Sequence, residues 1–198
     1  MSDTLPRIYL ARHGETTWTL SGQHTGRTDL ALTERGEHEA RLLGERLKGL
    51  SVADVFTSPL RRAARTCELA GFASVAKPDP DLFEWDYGRY EGLTSAEIHR
   101  QQRDWQLFRD GCPGGESPVQ VRARADSVVR RIRAIEGNVL VFSSGHFLRM
   151  LAASWLGLES AAGSCFSLST ASLSTLGYEH GQSEPVIWLW NDTDHLRT

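Results

Sequence analysis

Short apolar runs alternate with longer amphipathic stretches along most of the chain. Arg7 to Ala11 (RIYLA) reads as a buried strand that delivers Arg12, His13 and Gly14 to its C-terminal end. A polar stretch rich in Thr and Gly (Glu15 to Leu32) follows, after which Thr33 caps a helix whose apolar positions Ala40, Leu43 and Leu47 recur at helical spacing up to Gly49. Asp54 to Thr57 predicts a second strand, and Ser58-Pro59 a helix start, with Ser58 as N-cap and Gly71 as the end. From Lys77 through Glu116, prolines, glycines and aromatics are dense, which predicts an irregular excursion with one short helix from about Thr94. Ser117-Pro118 repeats the helix-start signal, and Val121, Ala125, Val128, Ile132 and Ile135 form an apolar stripe ending at Gly137. Asn138 to Phe142 is the next buried strand; Ser143 to His146 form its turn, before a helix through Arg149 and Leu156. The tail predicts two strands, Ser172 to Glu179 and Pro185 to Trp190, turning around His180 and Gly181.

Strand and helix alternation of this kind predicts an α/β fold, a three-layer α/β/α sandwich whose mainly parallel sheet carries an antiparallel edge supplied by the final hairpin. The strands ending at Ala11 and Phe142 both lead into turns that contain histidine. As sheet neighbours they would bring His13 and the turn from Ser144 to His146 to one pocket, on the side where open α/β sheets bind ligands.

Composition narrows the class. A chain of 198 residues with 40% apolar and 24% charged residues fits one globular domain spanning 1–198 and excludes disordered, collagen-like and disulfide-scaffold classes. Cys67, Cys112 and Cys165 are odd in number, widely spaced and without a CxxC pair, so neither a disulfide framework nor a zinc cluster is expected. A net charge of -3 argues against a nucleic-acid surface, and no apolar run reaches the length of a membrane span. With no leader-like segment, a soluble cytoplasmic protein is expected, a homodimer staying open. Only Lys48 and Lys77 among the 22 basic residues are lysines, so 22 minus 2 leaves 20 arginines. Arginine is the side chain whose planar fork matches phosphate oxygens, but only those placed by a motif are given a role.

Four groups can do chemistry. Arg12-His13-Gly14-Glu15-Thr16 at a strand end pairs an imidazole, a nucleophile when neutral, with a guanidinium able to hold a phosphoryl group. Arg62 lies in the first turns of a helix beginning at a strand end, where free N–H groups already favour an anion, whereas Arg61 and Arg65 read as a solvated face. Glu84, flanked by Phe83, Trp85 and Tyr87, is expected to be desolvated and suited to donate a proton to a leaving alkoxide. Ser144-Gly145-His146 with Arg149 offers a second imidazole or hydroxyl to the same group. His24, Arg27, Trp85, Tyr87, Arg89 and Trp105 are candidates for the leaving-group side. His13, His24 and His146 raise a metallohydrolase, but no HExxH or close His/Asp ligand pairing appears, so no metal and no cofactor are expected.

Taken together these segments resemble the histidine phosphatase superfamily, which includes the cofactor-dependent phosphoglycerate mutases and many phosphatases. The likeness runs from Ile8 to about Leu151 through Arg12-His13-Gly14-Glu15-Thr16, Thr25-Gly26, Leu32-Thr33 with Gly36, Ser58-Pro59-Leu60-Arg61-Arg62-Ala63, Glu84-Trp85-Asp86-Tyr87-Gly88 and Tyr90-Glu91-Gly92. The Glu84 stretch and Asp110 to Ser117 look most like the broad phosphatase branch with sedoheptulose-bisphosphatase-like and acid-phosphatase-like members. The resemblance implies a phosphoglycerate mutase-like fold, phosphorylation of His13, phosphate binding by Arg12 and Arg62, and Glu84 as general acid. It also implies substrate contacts at Thr16, Thr25, Gly26, Ser144 and Gly145. One departure stands out: the family pattern at the late strand end is His-Gly, where this chain has Ser144-Gly145, so the second imidazole is either missing or replaced by His146, two residues on. A serine donates one hydrogen bond but carries no positive charge. Thr19 also departs from the Asn that the mutases place after their Trp.

The expected function is therefore a metal-independent phosphatase acting on a small phosphorylated metabolite, a sugar phosphate among the candidates, through phosphohistidine at His13. Two alternatives stand beside it. One is a catalytically weak phospholigand-binding protein, on the strength of Ser144; the other is a phosphoglycerate mutase, against which the excursion after Glu84, about 30 residues long, is short.

Overall fold

The computed structural model describes residues 5–197. Six strands, β1 (Ile8–Arg12), β2 (Asp54–Thr57), β3 (Ala76–Pro78), β4 (Val139–Ser143), β5 (Leu173–Tyr178) and β6 (Pro185–Asp192), form one sheet in the order β3-β2-β4-β1-β5-β6. The first four are parallel; β5 runs antiparallel to β1 and to β6. This is the mainly parallel sheet with an antiparallel edge that the alternation predicts. In register, Ile8 faces Val139 and Arg12 faces Ser143, so the two strand ends lie side by side.

Alternation along β1 and β4 sends successive side chains to opposite faces. Ile8, Leu10, Val139 and Val141 pack into one core with α6 (Pro118–Arg133) and α7 (Gly145–Trp155). Ala11, Val55, Leu140 and Phe142 pack into a second core with Leu43 and Leu47 at the end of α2 (Glu34–Arg46) and Cys67 of α3 (Arg61–Leu69). These are the three layers. α7 is apolar nearly all round, from Phe147 to Trp155, and is correspondingly buried on all sides.

Several caps follow the sequence. Thr33 accepts from the Gly36 N–H, Thr94 forms a capping box with Glu97 at the head of α4 (Ser95–Gln101), and Ser117 does so with Gln120. The expected Ser58 cap fails. The Ser58 N–H is taken by the Phe142 carbonyl at 2.9 Å, so Ser58 continues the sheet, and α3 begins at Arg61 with Leu60 as a cap that has no side-chain bond. Asp29, from a distant loop, accepts the Arg61 N–H at 2.8 Å instead. α1 (Thr17–Ser21) and α5 (Leu107–Asp110) interrupt stretches read as irregular, and β3 is a three-residue edge strand ending in proline. No helix among the described residues is long and apolar enough to cross a membrane.

Candidate active site

His13 follows β1 directly, and its backbone is fixed from both neighbours: its N–H donates to the Ser143 carbonyl and its carbonyl accepts from the Ala171 N–H, both at 3.0 Å. The next residue has no room for a side chain. A Cβ at Gly14 would lie 2.4 Å from the Gly36 carbonyl oxygen, and one at Gly36 would lie 2.2 Å from that of Glu15, so α2 packs backbone to backbone on the turn. The His13 ring is oriented by its own neighbour: Nδ1 donates to the Gly14 carbonyl at 2.8 Å. Nε2 makes no bond to the protein and is left, with its lone pair, to the cleft. Burial first, then Arg62 and Arg12, lowers the His13 pKa well below the ordinary imidazole value, so the ring is neutral near pH 7.

Two arginines flank it. Arg62 is fully buried, and its fork donates to the carbonyls of Thr25, Gly26 and Thr28 at 2.9 to 3.0 Å. The same loop is held from its N–H side by Glu91, whose carboxylate accepts from Gly26 and Thr28. A Cβ at Gly26 would meet the Trp85 carbonyl oxygen at 2.5 Å, so this loop too closes only around glycine. Arg12 donates through Nη1 to the Leu168 carbonyl. Nε of Arg12, Nε of Arg62 and Oγ of Ser144 are buried without a protein partner; among the described residues the only other such side-chain atom is Nδ1 of His195. Ser144 is fully buried, and a Cβ on the adjacent Gly145 would lie 3.2 Å from Nε of Arg12, so the turn after β4 packs against that orphaned nitrogen. An unmet buried donor costs about 1–3 kcal/mol, and the unmet Nε of Arg12, on the same cleft as His13, marks a place for an acceptor oxygen of a ligand.

Glu84 is withdrawn from solvent, as its aromatic neighbours predict, but backbone N–H groups rather than apolar side chains meet its carboxylate. Its carboxylate accepts the backbone N–H groups of Trp85 and Phe147 on Oε1, at 2.9 and 2.8 Å, and of His146 on Oε2 at 2.9 Å. His146 and Phe147 are in the first turn of α7, whose Ser144 N-cap makes no side-chain bond, so Glu84 caps that helix from another segment. Trp85 and Tyr87 are buried beside it, Trp85 facing away from the cleft with Nε1 on the Glu116 carbonyl. The Glu84 segment is carried by Arg124 of α6, which donates to the carbonyls of Asp81 and Phe83 at 2.8 and 2.7 Å and bridges to Glu116 at 2.8 Å.

A cleft of about 250 Å³ is lined by Arg12, His13, Thr25, Glu84, Gly145 and His146 together with Trp18, Thr19, Gln23, His24, Tyr87, Ser95, Arg149 and Leu168, whereas Gly26, Arg62 and Ser144 lie behind its lining. The His146 ring lies on the aromatic side: its centroid is 5.8 Å from that of His24 and 5.7 Å from that of Phe108, and Nδ1 meets the Tyr87 hydroxyl at 2.5 Å. Burial lowers the pKa of His146 well below its ordinary value and brings that of His24 down to about 4. Thr16 stands behind the wall, capping α1. Arg27 pairs loosely with Asp86 at 3.7 Å, and Arg27, Arg89 and Trp105 do not line the cleft. Arg61 and Arg65 lie on a separate concavity of about 500 Å³, where Arg65 pairs with Glu37 and Glu68, as a solvated face would. Arg149 lines the cleft with Gly145 and His146, as the sequence groups them, whereas Trp18, Gln23, Ser95 and Leu168 lie outside the expected site. Arg149 shares one face of α7 with His146, a spacing the sequence shows; Leu168 arrives from a loop with no periodic signal.

The histidine phosphatase superfamily (branch 1) profile matches residues 8–193. An acid phosphatase from Mycobacterium tuberculosis is 45% identical over 187 residues, covering 91% of each chain. Sedoheptulose 1,7-bisphosphatase from Saccharomyces cerevisiae is 36% identical, covering 80% of this chain and 70% of its own length. A probable phosphoglycerate mutase GpmB from Photorhabdus laumondii is 32% identical, covering 97% and 95%. A solved structure from Mycobacterium tuberculosis superposes with a TM-score of 0.89 at 41% identity, covering 94% of this chain and 97% of its own. The fold is the phosphoglycerate mutase-like α/β arrangement, and the chain belongs to the histidine phosphatase superfamily.

Proposed function

We propose that this phosphoric monoester hydrolase works without a metal, through a phosphohistidine on His13, on small phosphorylated metabolites of the sugar phosphate class. The observation that carries the reading is a neutral imidazole whose Nε2 is free, on one cleft with Glu84 and with Arg12, whose buried Nε has no protein partner. In the first step Nε2 attacks phosphorus and the P–O bond to the leaving group breaks; Arg12 and Arg62 offset charge on the equatorial oxygens, and Ser144 donates a further hydrogen bond. Glu84, with a single protein bond on Oε2, gives its proton to the departing oxygen. In the second step the Glu84 carboxylate takes a proton from water, whose oxygen attacks phosphorus and frees His13. Among the described residues no group of three His, Cys, Asp or Glu side chains is drawn together to hold a metal ion. Turnover of an alkyl phosphate should therefore persist in excess chelator; its loss, restored by a divalent ion, would overturn the metal-free reading.

A second reading, a phospholigand-binding protein with little turnover, rests on Ser144, which brings no cation to the transferring group. The pair of positions decides between them. His146→Ala should lower kcat/KM about tenfold to a thousandfold, the scale of removing one transition-state donor, and Ser144→His should restore part of it. A silent His146→Ala with a sharp gain from Ser144→His alone would favour the binding protein. The mutase alternative predicts phosphoryl exchange between two positions of one phosphoglycerate, and hydrolysis without such exchange excludes it.

A further inference from the structure

Both imidazoles of the cleft are tied through Nδ1, but to partners of opposite character. His13 Nδ1 faces a carbonyl oxygen, which only accepts, so the ring proton sits on Nδ1 and the lone pair on Nε2. His146 Nδ1 faces the Tyr87 hydroxyl at 2.5 Å. Tyr87 is almost completely buried, and its hydroxyl has no other hydrogen-bond partner among the described residues. A buried phenol proton needs an acceptor, and the only one within reach is His146 Nδ1. That nitrogen then carries the lone pair, and the proton of the His146 ring is on Nε2, which makes no bond to the protein in a ring that lines the cleft. Burial holds the phenol pKa well above its ordinary value and the imidazole pKa well below, so the phenol keeps its proton and the ring stays neutral.

We propose that the two histidines are held in opposite tautomers, and that Tyr87 is the positioning residue that turns His146 into a neutral Nε2–H donor to the leaving-group side of the substrate. The side follows from the backbone: the His146 N–H holds Oε2 of Glu84, the carboxyl assigned to the departing oxygen, so ring and acid act on the same half of the ester. His24, stacked on Tyr87 with centroids 4.8 Å apart, closes the far side of the phenol and keeps it in line. A neutral donor there finds its match in a hydroxyl oxygen near the ester, as a polyol or sugar phosphate presents and a simple alkyl phosphate lacks. The donor's use rests on the phosphatase reading; the tautomer assignment does not.

Long-range nitrogen–proton NMR of the full chain at neutral pH should show His13 protonated on Nδ1 and His146 on Nε2, and Tyr87→Phe should redistribute the His146 proton between its nitrogens. A His146 ring protonated on Nδ1 in the native chain, or one unchanged in Tyr87→Phe, overturns the assignment. In turnover, the native preference for glycerol phosphate over propyl phosphate should shrink about tenfold in Tyr87→Phe, the scale of losing a partner that orients an active-site imidazole. Tyr87→Phe should cost nothing further in a His146→Ala background. An unchanged preference, or additive losses, removes Tyr87 from this role. A native chain that hydrolyses no monoester fails the phosphatase reading instead, and the nitrogen spectra still decide the tautomers.

Discussion

His13→Ala should lose turnover by about a million-fold, as removal of an attacking group does, and with it the ability to take up a phosphoryl group. The native chain mixed briefly with a phosphate ester and quenched without acid should gain the mass of one phosphoryl group, and the variant none. Equal labelling of the variant would assign the acceptor elsewhere. The environment of His13 adds a pH signature. Its pKa is depressed by burial and by two cations, so the neutral, nucleophilic form persists as pH falls below 6.5 and disappears only when pH passes through the lowered folded value. The acid limb of kcat/KM, which reports the free enzyme, should accordingly lie well below pH 6.5. The same shift bears on stability: the unfolded chain binds the proton near pH 6.5 and the folded one resists it, so stability declines as pH falls through that window. An acid limb centred at 6.5 or above would show that the attacking group is not a buried imidazole.

Glu84→Gln should slow alkyl phosphates by about a hundredfold to ten-thousandfold, the range of general acid–base catalysis, and activated aryl phosphates much less in the transfer step, because their leaving groups depart without a proton. Equal slowing of both would place Glu84 in hydrolysis of the phosphohistidine or in positioning. The structure supplies the control this experiment needs. Glutamine offers one acceptor oxygen where glutamate offers two, so one N–H among Trp85, His146 and Phe147 loses its partner, a cost of about 1–3 kcal/mol. Thermal unfolding should fall by a few degrees while the fold persists, and the leaving-group dependence separates that structural cost from the chemistry.

The strands and helices that carry the site are legible because their signals are local. The short apolar runs of β1 and β4 and the Thr33, Thr94 and Ser117 caps are written within a few residues of where they act. So are His13 and Arg12, which leave a strand end together. What stays hidden is supplied across the chain. The cap of α3 is Asp29 and the cap of α7 is Glu84, each far from the helix it serves, so the Ser58 signal misleads and the N–H groups that meet Glu84 are not legible from its neighbours. The α1 box uses Thr19 where the usual signature has Glu or Gln, so its periodicity is not announced. Arg124 is the sharpest case: one of 20 arginines in the sequence, it is the one that holds the backbone leading into Glu84. Nothing in its immediate neighbours distinguishes it from the solvated arginines of the same helix.

The place of β1 in the sheet has a consequence for how the chain is made. β1 is synthesised first, yet its two partners are β4 and β5, beginning at Val139 and Leu173. Until the ribosome has passed those residues, the edges of β1 are unpaired and Ile8 and Leu10 have no finished core to enter. Closing so long a loop is slow relative to helix formation. The helices of the middle of the chain can thus form while its opening strand waits, and His13 reaches its cleft only in the last stage of folding. Activity appearing in step with β1–β5 pairing, later than helical signal, is the kinetic mark of this order.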